Sequence, residues 1–182
     1  MTRTVEGWLR WRVPAVYLVA LISLGLASPT PSTILVGALI TVTGLLIRGV
    51  AAGYLHKGQE LAHTGPYART RHPLYLGSAL LWSGFAVATR SWVVGAMFAL
   101  YFLAFYPATM KHEEAQLRAK YGETFNDYAR RVSLFRPRFH AEHAAADSDF
   151  SFAQYVHNRE YQAAIVSVLF FSVLFALAVW KT

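Results

Sequence analysis

Five apolar blocks, at residues 13–27, 33–52, 73–89, 92–106 and 162–180, limit this chain more than any other feature of it. Each is nearly continuous, without the polar face that an amphipathic surface helix carries. In lipid only helices and closed barrels satisfy every backbone group, and blocks of this length read as helices. The predicted fold is therefore an all-α integral membrane protein with five transmembrane helices, one domain over residues 1–182. Composition agrees. The chain is 55% hydrophobic and only 15% charged, where a soluble domain carries about 25% charged residues. The third and fourth blocks would each reach only about 24 Å as helices, against a hydrocarbon core of about 30 Å. They are expected to form a hairpin inside the bundle, with Pro107 ending or kinking the second of them.

The punctuation between blocks supports this division. Trp8 and Trp11 stand before the first block as interfacial anchors. Basic residues followed by an apolar run resemble a signal peptide, but no small-residue cleavage site follows, and the reading is a retained first span. Pro29 and Pro31 mark a turn. Gly37 and Gly44 allow a neighbouring helix to approach closely. Arg48, in the last turns of the second block, either snorkels to the interface or faces a polar cavity. Pro73 suits the first turn of a helix. The segment 107–161 reads as cytoplasmic and helical. It holds a charged helix from Lys111 to Gly122, a short helix from Glu123 to Arg131 with Phe125 and Tyr128 on one face, an extended stretch up to Pro137, a surface linker over residues 139–151 and an interfacial helix over 152–161.

Charge sets the orientation. With the N-terminus inside, the inner flanks hold Arg3, Arg10, Arg12, Lys57, Arg69, Arg71 and the basic residues from Lys111 to Arg159, while the outer flanks hold Arg90 and Lys181. This predicts an integral membrane protein with a cytoplasmic N-terminus and an external C-terminus. It also accounts for the net charge of +7 without nucleic acid, since no basic stretch has interleaved aromatics. The absence of cysteine excludes disulfides, zinc–thiolate sites and a cysteine nucleophile. His140 and His143 have metal-ligand spacing but no third ligand, so no metal site is expected. The sequence sets no oligomeric state.

The chemistry concentrates in Gly65-Pro66-Tyr67-Ala68-Arg69-Thr70-Arg71-His72-Pro73-Leu74-Tyr75-Leu76-Gly77. A short hairpin following this stretch brings Arg71, His72 and Tyr75 towards Glu113. Glu114 reads as a solvated residue near a helix start, favoured there by the helix dipole. Cations, an acid and aromatic rings at one membrane face suit a cofactor with a sulfonium, an amino-acid end and an adenine, because a sulfonium is attracted to aromatic faces.

In order, Gly44 and Arg48, Gly65-Pro66-Tyr67, Arg71-His72-Pro73 with Tyr75 and Gly77, Glu113-Glu114 with Leu117, Tyr121-Gly122, Tyr128 and Arg136-Pro137 resemble the membrane methyltransferase superfamily of isoprenylcysteine carboxyl methyltransferases and phospholipid methyltransferases. The resemblance covers roughly Gly44 to Pro137. The Asn158-Arg159-Glu160-Tyr161 element before a last helix looks more like bacterial members. The resemblance implies S-adenosylmethionine as cofactor, bound in the region formed by the loop before the third span and the helices after the fourth. Carried over by position, Gln59, Glu60, Leu61, Ala62, Tyr67, His72, Pro73, Leu74, Tyr75 and Glu113 would bind it, with Arg71 and Glu113 as the catalytic candidates. The prenylcysteine enzymes have a substrate-binding arginine four residues before this glutamate. Thr109 stands there instead, which counts against a carboxylate acceptor; Arg71, Arg48 and Arg136 are the cations that could replace it. The implied partners are membrane lipids and a lipophilic acceptor from the bilayer: a prenylcysteine carboxylate, a lipid amine, or a small lipophilic thiol or amine. A nicotinamide-dependent reductase of the related sterol-reductase fold and a non-enzymatic lipid-binding protein are the rival readings.

Overall fold

Thr30 and Thr33 cap each other's backbone N–H groups, and Pro31 begins a helix at the position where its missing N–H costs nothing. The computed structural model describes residue 7 and residues 11–56, 58–136 and 149–180. Within them run α1 (Arg12–Gly25), α2 (Pro31–Gly53), α3 (Pro73–Thr89), α4 (Trp92–Tyr121), α5 (Glu123–Arg131), α6 (Phe152–His157) and α7 (Tyr161–Trp180), with a 3-10 turn at Gly65–Ala68. No strand occurs among the described residues. The anchor Trp8, Lys57, Pro137, the His140/His143 pair and Lys181 lie outside them.

The closest helix pair is α2 against α3, antiparallel along a seam of glycines. A Cβ on Gly44 would stand 2.6 Å from Gly77 O, and one on Gly37 would stand 2.5 Å from Gly84 O. The seam thus repeats every seven residues on both helices, and the backbones meet where side chains are missing. At one end of the bundle Ser28 N–H donates to Thr89 O (3.0 Å). At the other, Arg48 of α2 reaches Leu74 O of α3 (3.3 Å). Phe85, Ala88, Val94, Phe98, Phe170 and Leu174 form the core between α3, α4 and α7. A second cluster of Tyr101, Phe105, Tyr106 and Met110 packs against Ala15 and Val16 of α1.

The all-helical architecture follows the apolar blocks, but their membrane lengths differ. α2, α4 and α7 are long and apolar enough to cross a membrane, whereas α1 and α3 are apolar but shorter. The fourth block does not stop at Tyr106. Helix α4 continues through Pro107 for 30 residues, about 45 Å at 1.5 Å per residue. Its apolar first half continues directly into the charged turns that carry Lys111 to Tyr121. Phe105, Tyr106, Thr109 and Met110 are buried on both sides of the proline, and this packing holds the helix through a residue that deprives it of one hydrogen bond. The expected interfacial helix over residues 152–161 is the six-residue α6, which a turn with Arg159 at positive φ separates from α7.

Candidate active site

The N-terminus of α3, the second half of α4, the loop residues 55, 56 and 58–62 and the start of α7 meet at one end of the bundle, where they enclose a cavity of about 730 Å³. Its mouth is polar, lined by Glu60, Glu113, Lys120 and Tyr121; its inner wall is apolar, lined by Leu81, Trp82, Phe85 and Phe170.

His72 is the N-cap of α3, followed by Pro73 at the first helical position. This places the imidazole and, one turn on, the phenol of Tyr75 on the same wall, their rings stacked at 5.4 Å between centroids. Tyr75 Oη donates to Glu113, and its ring meets Tyr106 edge-on at 5.1 Å. Trp82 Nε1 donates to Tyr106 Oη (3.3 Å). One aromatic chain thus runs from the mouth to the apolar wall.

Arg71 lies on the same wall, with its guanidinium engaged by α4 and α5. Its Nε donates to Glu114 Oε1 (2.7 Å) and its Nη1 to Ala129 O (2.6 Å) and Val132 O (2.9 Å). It ties α3 to α4 and to the end of α5. Glu114 is therefore a largely buried partner of Arg71 and not a solvated residue at a helix start, because α4 has no start there. Tyr128 of α5 adds a second tie, donating to Tyr67 O (2.8 Å).

Three buried polar atoms on the wall find no hydrogen-bond partner among the described residues: Tyr67 Oη, His72 Nε2 and His56 Nδ1, the last lying 3.0 Å from the Glu60 carboxylate. His72 Nε2 lies 3.4 Å from Glu114 Oε1 and Nδ1 lies 3.9 Å from Glu113 Oε2. These are charge contacts at best, and neither is a hydrogen bond. Burial holds the His72 pKa below the ordinary imidazole value, against the opposing pull of Glu113 and Glu114, so the ring is neutral. Burial also pushes the Tyr67 and Tyr128 phenols above their usual range.

Among the residues expected to hold a cofactor, the structure brings Glu60, Leu61, Ala62, Tyr67, His72, Pro73, Leu74, Tyr75 and Glu113 to the cavity wall, together with Arg71. Gln59 is exposed and is not among the lining residues. Thr109 is buried with its hydroxyl donating back to Phe105 O (2.8 Å), also off the wall. Sequence reasoning names Glu160 only within the Asn158–Tyr161 element and gives it neither a partner nor a place in the site. This residue pairs with Arg48 through Nε to Oε2 (3.0 Å) and Nη2 to Oε1 (2.9 Å) and Oε2 (2.7 Å). Arg48 also donates to Ser78 Oγ. The arginine therefore faces the cavity and does not snorkel. The pair also lines a second, apolar groove of about 480 Å³ between α2, α6 and α7.

Residues 22–124 match the phospholipid methyltransferase family. Over 137 residues the chain is 37% identical to the nickel-cobalt-cadmium resistance protein NccN of Alcaligenes xylosoxydans xylosoxydans, covering 70% of this chain and 63% of that protein. It is 40% identical over 82 residues to the cobalt-zinc-cadmium resistance protein CzcN of Cupriavidus metallidurans, covering 45% and 38%. It is 37% identical over 92 residues to methanethiol S-methyltransferase 2 of Bradyrhizobium diazoefficiens, covering 50% and 34%. The chain thus spans less than two thirds of the length of each of these relatives. No solved structure matches it.

Proposed function

The chain belongs to the phospholipid methyltransferase family, and from that premise we propose that it is an S-adenosylmethionine-dependent methyltransferase acting on a lipophilic acceptor in the membrane. The observation that carries this reading is the single cavity whose polar mouth, with the unpartnered Tyr67 Oη and His72 Nε2, runs into the apolar wall of Leu81, Phe85 and Phe170. A charged donor and a greasy acceptor can meet only where such surfaces adjoin.

The residues present suit the donor. Glu113, oriented by Tyr75, accepts from an α-amino group or a ribose hydroxyl. The faces of Tyr75 and Tyr106 attract a sulfonium, and a neutral His72 does not repel it. Tyr67 Oη and His72 Nε2 gain the partners they lack, which relieves the cost of leaving buried polar atoms unpaired. When bound, the donor supplies an electrophilic methyl group. The protein's share of the work is placement and exclusion of water. Arg71 is then a positioning residue, since its guanidinium is engaged with Glu114 and two carbonyls.

The same reading puts all five apolar helices, α1, α2, α3, α4 and α7, across a bacterial inner membrane, with the cavity mouth at the cytoplasmic face, the N-terminus inside and the C-terminus outside. Two relatives are named for metal resistance, but no three metal-ligating side chains group together among the described residues, and that role is not carried over. The test is calorimetric titration of S-adenosylmethionine into detergent-purified protein, followed by transfer of a labelled methyl group into a lipid extract. Stabilisation by a nicotinamide cofactor in place of S-adenosylmethionine would favour the reductase. Stabilisation by neither would favour a lipid-binding protein.

A further inference from the structure

We propose that Glu160 is a specificity-determining residue that neutralises Arg48 and so closes the cavity to carboxylate acceptors, leaving it selective for a nucleophile without negative charge, a thiol or an amine; this rests on the methyltransferase reading. The argument starts from the cations. Among the described residues lining the cavity, Arg48, Arg71 and Lys120 are basic and Glu60, Glu113, Glu114 and Glu160 are acidic. Both arginines already have a carboxylate: Arg71 has Glu114 at 2.7 Å and Arg48 has Glu160 at 2.7 Å. Lys120 is exposed at the mouth, where its ammonium donates to Gly58 O and stands over the Tyr121 ring at 5.2 Å.

The position of the pair gives it control over the acceptor. Arg48 donates to Ser78 Oγ and Leu74 O on α3. One turn beyond Ser78 the wall becomes apolar at Leu81 and Phe85. Glu160 immediately precedes α7, whose Ala163, Ser167 and Phe170 continue that apolar wall. An acceptor whose tail lies on this wall has its head at the level of Arg48 and Glu160. A carboxylate head there meets Glu160, with a side chain only 10% exposed, and no guanidinium that is not already paired. Like charges in a partly buried site repel strongly. A neutral thiol meets no such penalty, and neither does an amine, which arrives as an ammonium and gives up its proton before it reacts.

Glu160 lies outside the stretch matched to the family, residues 22–124, so the selectivity is supplied by the part of the chain after α5. Replacing Glu160 by glutamine would release Arg48 to bind an anionic head.

The experiment uses the full chain in detergent. Binding is read by thermal shift with three probes: S-adenosylmethionine, a long-chain alkyl thiol and an S-alkylated N-acetylcysteine carrying a free carboxylate. Methyl transfer to the last two is read in parallel. Wild type is expected to bind the thiol and not the carboxylate. Glu160→Gln is expected to gain carboxylate affinity by about tenfold or more, the scale of one charge-assisted hydrogen bond. A double variant, Arg48→Met with Glu160→Leu, removes both charges and is expected to refuse the carboxylate still. It also covers the case in which the single variant, with its buried guanidinium unpaired, fails to fold. Wild type that binds the carboxylate as well as the thiol overturns the proposal, as does a folded Glu160→Gln that gains nothing. Absence of any shift with S-adenosylmethionine sinks the methyltransferase reading itself and is seen separately from the acceptor probes.

Discussion

The phenol of Tyr75 and the carboxylate of Glu113, 38 residues apart in the chain, are joined by a hydrogen bond across the mouth of the cavity. Tyr75 is also stacked on His72, so one contact aligns the end of α3 with the middle of α4. A carboxylate held by a fixed donor is pre-ordered for a ligand and loses little freedom on binding. Removing it with Glu113→Ala is expected to weaken S-adenosylmethionine binding about tenfold or more, the scale of a hydrogen bond to a charged group. Tyr75→Phe, which keeps the ring and loses the donor, is expected to weaken it less. Titration calorimetry reads both, with helicity as the control for folding. Undiminished affinity in Glu113→Ala would remove this residue from the site.

The glycine seam makes a prediction about stability alone. A side chain at Gly77 would place its Cβ 2.6 Å from Arg48 Cγ and 2.7 Å from Gly44 O. Backbone cannot yield as a flexible side chain can, so α2 and α3 must separate. Gly77→Val is expected to cost about 1–3 kcal/mol, as overpacking of a tight core does, and to lower the thermal midpoint in detergent. Gly25→Ala, with nothing within 4 Å of the added atom, is the control. Equal midpoints for the two variants would mean that the seam is not close-packed.

Arg71 is the cross-brace under the site. Substitution by methionine leaves the largely buried Glu114 carboxylate unpaired and two carbonyls without donors. Breaking one side of a buried pair costs about 3–5 kcal/mol. The loss falls first on α5, which Arg71 holds through Ala129 O and Val132 O. Limited proteolysis of Arg71→Met is expected to cut within residues 122–136 well before wild type does. Arg71→Lys is expected to rescue only in part, because an ammonium cannot reproduce the three directed bonds. Full rescue by lysine would show that charge alone suffices.

The parts of this arrangement that were legible beforehand are those written locally. Helix blocks show in unbroken apolar runs, the α2 side of the seam shows in Gly37 and Gly44, and the His72-Pro73 helix start shows because proline fits a first turn. Pro107 is expected to end or kink the helix, and of these the ending is overturned: burial of Phe105, Tyr106 and Met110 carries the helix on. Glu114 misleads for the same reason: a residue taken for a helix start is in mid-helix, facing Arg71. The Arg48–Glu160 pair could not be read at all. Its partners are 112 residues apart, and nothing in the neighbourhood of either one states which side chain it will meet.

The neutral His72 gives the fold a defined pH dependence. Burial lowers its pKa below 6.5 in the folded state, while an unfolded chain takes up the proton near that ordinary value. Between the ordinary and the depressed pKa the unfolded state binds more protons, so stability rises with pH across that window. The contribution is full above 6.5 and is lost as the pH falls through the window. The thermal midpoint of wild type is expected to drop between about pH 7.5 and about pH 5.5 by more than that of His72→Asn, which has no proton to gain. An equal drop would mean that burial does not lower the imidazole pKa, and a smaller drop that the fold holds the ring charged, with which the picture of a neutral ring beside the sulfonium would fail.

The loop that lines the mouth depends on Asn158. Helix α2 ends at Gly53 and leaves carbonyls without intrahelical donors. Asn158 Nδ2 donates to Ala52 O and Leu55 O, both at 2.9 Å, and Gln154 Nε2 donates to Leu55 O at 2.8 Å. Ser151 N–H adds a bond to Gly53 O at 3.1 Å. The short segment around α6 is thus a cap on α2, and it fixes the point from which residues 55–62 depart towards the cavity. Asn158→Ala removes one of two donors at each carbonyl, since Ala52 O keeps Leu55 N–H and Leu55 O keeps Gln154 Nε2, so the cost is that of ordinary hydrogen bonds, about 0.5–1.5 kcal/mol each. Its effect is expected in the loop before it is expected in the bundle: amide exchange should quicken over residues 54–62, and S-adenosylmethionine affinity should fall severalfold, with the core of α3 and α4 unchanged. Exchange that quickens evenly across all helices would instead make Asn158 a residue of global stability, with no particular hold on the site.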